Sequence, residues 1–191
     1  MKELADYTGE FLPRISFEDF SKDVVIKLLK ALNRNCLGID GLWFQRAIKE
    51  VGLDAAVSWS MDVWEKQCKI DMKNARQILN IKGNDVEALL KGIQFCPGFP
   101  ISILEWEMEL KTRNHGLITV HRCPAVDTYE REGKKGEEIL NGICRVIEPP
   151  AFNSFISVVN PDIQMKELKL PPRKSKDEIC CQWEFKLESK G

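Results

Sequence analysis

Apolar positions change their spacing once along this chain, near its middle. From Ser16 to about Gln94 they recur every three or four residues, the period of helices buried along one stripe. Val25, Leu28, Leu29 and Leu32 form one such stripe, with Lys22, Lys27 and Lys30 outside it. Ser16-Phe17-Glu18-Asp19 resembles a capping box with Asp in the third position. Asn33-Arg34-Asn35 and Gly38 predict a stop, and Asp40 predicts the cap of a second helix through Leu42, Trp43, Ala47 and Ile48, closed by Gly52. Asp54 opens a third and longer helix with Trp59, Val63, Trp64, Cys68, Met72, Ala75 and Leu79. Gly83 ends it, and Asp85 opens a shorter one through Ala88, Leu89 and Leu90.

The pattern breaks at Cys96-Pro97-Gly98-Phe99-Pro100, where two prolines and a glycine block helix. Leu104, Trp106, Met108 and Leu110 then alternate with Glu105, Glu107, Glu109 and Lys111, the period of a half-buried strand. A turn at 112–116 and a returning strand at 117–123 make a hairpin. A helix is predicted over 137–148, with Ile139, Leu140, Ile143 and Ile147 inward. Pro149-Pro150 stops it and starts another through Phe152, Phe155, Ile156 and Val159. Strands at about 163–170 and 178–187 close the chain, joined by a charged loop, 171–177, read as a mobile connection. The order (helices, two strands, two helices, two strands) predicts an α+β fold, a helical layer packed on a small antiparallel sheet. Residues 1–191 form one domain on this reading, with a helical half at 16–95 and a strand-containing half at 96–191.

Composition narrows the function classes. The chain has 191 residues, 43% of them hydrophobic and 30% charged, a globular balance long enough for a core without disulfide staples. A formal net charge of −1 provides no global field for nucleic acid. No apolar run approaches the roughly 20 residues that span a bilayer, and the N-terminus lacks the apolar stretch of a secretion signal. Seven irregularly spaced cysteines do not suit a secreted disulfide framework. A cytoplasmic protein with reduced thiols is expected, with no nucleic-acid or membrane partner. P-loop, strand-borne GxGxxG, GxSxG and HExxH motifs are all absent from the sequence.

The candidate chemistry centres on His121 and Cys123. On a regular strand they project from one face, and Cys144 and Cys181 follow on other elements. One imidazole and three thiolates suit zinc: a closed set of His121, Cys123, Cys144 and Cys181 would be structural, while Glu148 or water in one position would make it catalytic. Without metal, Cys123 beside His121 is a candidate nucleophile with His121 as its base. The competing reading makes Cys144 and Cys181 small buried hydrophobes. Glu105, Glu107 and Glu109 read as a solvated sheet face, and His115 as a surface residue. Trp43, Trp59, Trp64, Trp106 and Trp183 read as core, in a layer able to enclose a ligand pocket.

Several segments together resemble an uncharacterised prokaryotic family related to L-2-amino-thiazoline-4-carboxylic acid hydrolase. They are Asp40-Gly41-Leu42-Trp43-Phe44, Asp62-Val63-Trp64, His121-Arg122-Cys123-Pro124, Cys144, Glu148-Pro149, Asn160-Pro161-Asp162, and the ending from Leu170-Pro171-Pro172 through Cys181-Gln182-Trp183-Glu184-Phe185. The resemblance runs from about Asp40 to Leu187. It implies opening of a small thiazoline ring by water, with His121 as base or metal ligand and Cys123, Cys144 and Cys181 as ligands or, for one, nucleophile. The element order also resembles vinyl-reductase-type and TRAPP-like domains, a likeness of fold alone. Two functions are therefore expected: a small-molecule hydrolase using a His/Cys site, or a non-catalytic small-molecule or metal-binding module, a sensor or carrier that dimerises through helices. A structural partner protein with inert cysteines is the plainer third.

Overall fold

Two long helices, α1 (Lys22–Val51) and α2 (Leu53–Ile78), lead the chain and meet at Gly52, whose φ of 84° puts it where side chains are disfavoured. The computed structural model describes residues 3–100 and 103–188. α1 is a single helix of 30 residues, not the two expected. Gly38 and Gly41 each weaken a helix interior by about 1 kcal/mol relative to alanine, but neither blocks it as proline does. Phe44, Ala47 and Ile48 pack into the core and hold the C-terminal half helical. Asp40, expected as an N-cap, thus lies mid-helix.

α3 (Val86–Ile93) follows the predicted logic. The Ala88 amide donates to the Asp85 carboxylate at 2.9 Å, and Val86, Leu89, Leu90 and Ile93 are buried. The hairpin of β1 (Glu105–Thr112) and β2 (His115–Arg122) docks beside it, and Arg113 in the turn pairs with Asp85 at 3.0 Å. A short helix α4 (Pro124–Tyr129) leads through a 3₁₀ turn to α5 (Lys134–Asn141). After α6 (Glu148–Val159) come β3 (Gln164–Lys169) and β4 (Cys181–Lys186). The sheet is antiparallel in the order β1-β2-β4-β3, as the α+β reading requires. β4 returns to pair with β2, opposing Ile118 to Trp183 and Val120 to Cys181.

Pro149-Pro150 does not separate two helices. Residues 142–147 form a π-helical segment that joins α5 to α6 without a break. The Glu148 amide donates to the Ile143 carbonyl five residues back, and the two prolines that follow have no amide to place. The wider turn keeps the preceding carbonyls away from the pyrrolidine rings, so the clash that ends an α-helix is avoided. Gly142 opens this segment against α2; a Cβ there would lie 2.6 Å from Val57 Cγ2.

The core lies between the helices and one sheet face. Phe152 is its hub, with ring centroids 5.0 Å from Trp183, 5.3 Å from Phe99 and 5.6 Å from Phe185. The tryptophans divide. Trp183 is buried, Trp64 and Trp106 pack partly against the core, but Trp43 and Trp59 are 70% and 56% exposed. Helical periodicity identifies a stripe without saying what covers it. The loop expected to be mobile is pinned: Arg173 donates to Asp127 at 2.7 Å and to Glu130 at 2.8 Å, tying residues 171–178 to α4.

Candidate functional site

A cavity of about 550 Å³ opens between α1, α2, the π-helical segment and the ends of β2 and β4. Its walls are mainly apolar and aromatic, including Phe44, Trp64, Phe99, Tyr129, Phe155 and Trp183. Along α1, Gly38 and Gly41 line it together with Leu37, Asp40 and Phe44. A side chain started at either glycine meets no heavy atom within 4 Å, so these positions border open space. Gly38, which looks like a helix stop in the sequence, is thus a lining residue inside one continuous helix.

Glu148, half-buried, stands in this wall at the start of α6. Protein surrounds it, and its remaining exposure faces the cavity that it lines. Burial, with the Asp40 carboxylate nearby, pushes its carboxyl up to about 7. No hydrogen bond or ion pair from the described residues reaches it. Asp40 is also raised, chiefly by burial, and the Trp64 indole N–H facing it offsets part of that rise. Two carboxyl groups thus share an apolar chamber. Arg34, on an exposed turn of α1, is the sole Lys, Arg or His among the residues lining it.

The structure brings Cys123, Cys144 and Cys181 to this cavity and leaves His121 out of it. The expected pairing of His121 with Cys123 on one strand face is corrected by a bulge. Glu105 opposes Arg122 while Trp106 opposes Val120, so His121 is an extra residue on β2. Alternation is reset there: Val120 and Cys123 line the cavity, and His121 turns to solvent with Glu107 Oε2 3.7 Å away. Burial pushes the Cys123 thiol up to about 11, and raises Cys144 and Cys181 further, with Glu148 adding to each. Such thiols are neutral at physiological pH, and none has the depressed pKa of an activated nucleophile. Among the described residues, no group of three or more His, Cys, Asp or Glu is arranged to hold a metal ion. The donors present therefore do not fit the zinc set of His121, Cys123, Cys144 and Cys181. All seven cysteines are unpaired.

His121 instead borders an open cleft of about 800 Å³ with Arg122, Asp127, Glu130 and Arg173. Its charges are largely satisfied within the fold, Arg173 by Asp127 and Glu130 and Arg122 by Asp127 at 3.1 Å. His115 is half-buried against Glu184 at 3.0 Å. Asp40 carries no site signal in the sequence, because an acid before an apolar run is also the mark of a helix cap.

The molecule is thus a helix-covered, four-stranded antiparallel domain enclosing a mainly apolar chamber with buried acids. It belongs to the family of unknown function DUF6125, which matches residues 18–187. No curated protein and no solved structure matches it. No helix among the described residues is long and apolar enough to cross a membrane.

Proposed function

We propose that this protein is a non-catalytic small-molecule-binding module whose ligand occupies the 550 Å³ cavity. The observation that carries this reading is the cavity itself, lined mainly by apolar and aromatic side chains. Two of its lining residues, Gly38 and Gly41, together cost roughly 2 kcal/mol of helix stability, and a Cβ at either meets open space. The volume lies in the range of organic-ligand sites, about 300–1,000 Å³. The thiols act as neutral, polarizable wall rather than as nucleophiles.

The experiment is titration of the full-length protein with Nile red, a neutral dye that brightens in apolar surroundings. Saturable binding at one site is expected. Gly41→Phe is expected to abolish it while keeping or slightly raising the melting temperature, because phenylalanine has open space to enter and a better helix propensity. Equal dye binding by Gly41→Phe, or none by the wild type, would sink the proposal.

The hydrolase reading is favoured by one feature, the Glu148 carboxyl held near neutrality, where an acid can act as a general base. Attack of water on the carbon between sulfur and nitrogen would pass its proton to Glu148 and on to the leaving group. Turnover of L-2-amino-thiazoline-4-carboxylate that disappears in Glu148→Gln would support this reading over simple binding, and unchanged substrate would remove it.

A further inference from the structure

The cavity combines three features that constrain its occupant. Glu148 is half-buried, borders the chamber, and meets no hydrogen bond or ion pair from the described residues. Asp40 lies close enough to raise it further, so two acids share the space and no lysine or histidine offsets them. Around them stand the rings of Phe44, Trp64, Phe99, Tyr129 and Phe155. A carboxylate withdrawn from water is costly unless a cation or donors meet it, and aromatic faces attract a desolvated cation. We infer that the ligand is an apolar organic cation, an amine or quaternary ammonium whose charged head sits against Glu148 and Asp40 and whose hydrocarbon body fills the aromatic wall. This rests on the cavity being a ligand site, and goes beyond it in naming the chemistry.

The groups facing Glu148 are known from each neighbouring element. Asp40 comes from α1, Cys68 from α2, Cys144 from the π-helical segment, Cys123 from the end of β2 and Cys181 from β4. The thiols are neutral at physiological pH, so Glu148 is the group whose charge changes across the working range, with the Asp40 carboxyl, itself raised by burial, beside it. Arg34 lies six residues before Asp40 on α1, about 9 Å along the helix axis, on an exposed turn at the cavity edge. A cation there would meet repulsion, which orients the charged head inward.

The test is competition against bound Nile red by three probes of similar shape: phenylbutylamine, phenylbutanol and phenylbutyrate. At about pH 8, where the amine is protonated and Glu148 ionised, the amine is expected to displace the dye at a concentration about tenfold lower than the alcohol, with the acid weakest. The amine's advantage is expected to shrink at about pH 5.5 as Glu148 takes up a proton. Glu148→Gln is expected to remove most of that advantage, weakening the amine far more than the alcohol. Asp40→Asn serves as a second variant should the first fold poorly. Alcohol and amine binding equally, or an amine preference indifferent to pH and to both substitutions, would overturn the cation assignment while leaving the cavity as a ligand site. Failure of Nile red and every probe to bind would overturn both.

A separate feature lies on the outer face of α1. Leu29, Leu32, Cys36, Ile39 and Trp43 repeat at spacings of three and four, the heptad seam of a coiled coil, and all five are exposed. Exposed Leu28 and Leu42 widen the stripe. With 54% of Leu29, 52% of Leu32, 58% of Ile39, 69% of Leu42 and 70% of Trp43 accessible, the stripe offers roughly 700 Å² of apolar side chain, close to the ~800 Å² per partner of a standard interface. We propose that a second copy of this chain covers it through a two-fold axis near Cys36. The seam runs an equal length on either side of Cys36, so it is self-complementary. Light scattering of the full chain at about 0.1 mM should give twice the 21.9 kDa protomer mass. Leu32→Glu with Ile39→Glu should restore the monomer without loss of helical signal, since both residues are exposed. A monomeric wild type, or a dimer that survives both charges, would overturn the proposal.

Discussion

Replacing Glu148 with glutamine is expected to stabilise the protein at about pH 8 by up to roughly 3 kcal/mol and to change little at about pH 4. The sign follows from the proton balance. The folded carboxyl titrates at about 7 and the free one near 4.5, so between those values the folded chain binds more protons than the unfolded chain. Stability therefore falls as pH rises through that window, and stays at the lower level above it. Glutamine keeps the shape and has no charge to bury. Each factor of ten in the protonation equilibrium is worth about 1.4 kcal/mol, and exposure of Glu148 to the cavity makes the full value an upper bound. Asp40 is raised as well and contributes with the same sign, so the variant should flatten the slope without erasing it. Urea denaturation at a series of pH values measures both effects. A wild-type profile already flat between about pH 4.5 and 7 would show that the carboxylate is well solvated where it sits.

Phe152→Ala is expected to cost about 3–5 kcal/mol, the range for removing a large buried ring. Phe152 is 1% exposed and joins three parts of the chain: α6 itself, the 96–100 turn through Phe99, and β4 through Trp183 and Phe185. The lost ring leaves a void that α6 can close only by moving Glu148 at its first turn, so ligand affinity should fall along with stability. Phe152→Leu fills part of the void and should recover about half of the loss. Phe11, 82% exposed, provides the control, and its alanine variant should stay within about 0.5 kcal/mol of wild type. Chemical denaturation of the three variants orders them. A Phe152→Ala variant as stable as Phe11→Ala would mean that the aromatic cluster does not hold the helices to the sheet.

Much of the architecture was legible from local chemistry. Asp85 caps α3 as read, the β1–β2 hairpin falls at the change from helical to alternating periodicity, and Gly52 ends α1. The errors share a cause. Gly38 looks like a helix stop because glycine is common at helix ends, yet it does not block a helix as proline does. Pro149-Pro150 looks like a terminator because a π turn leaves no local signature. His121 and Cys123 look like neighbours because strict alternation is assumed, and one inserted residue reverses it.

Helix, strand and turn preferences act within a few residues, so the order of elements and the antiparallel α+β class could be worked out from the chain as written. A cavity is an absence, bounded by residues as distant as Gly38, Cys123, Glu148 and Cys181, and no local pattern encodes it. Burial and the neighbouring Asp40 carboxylate raise Glu148, and both depend on how α1, the π-helical segment and the sheet close around it. The identity of the site therefore came from packing: the field at a buried acid is a sum over neighbours that only the folded chain brings together.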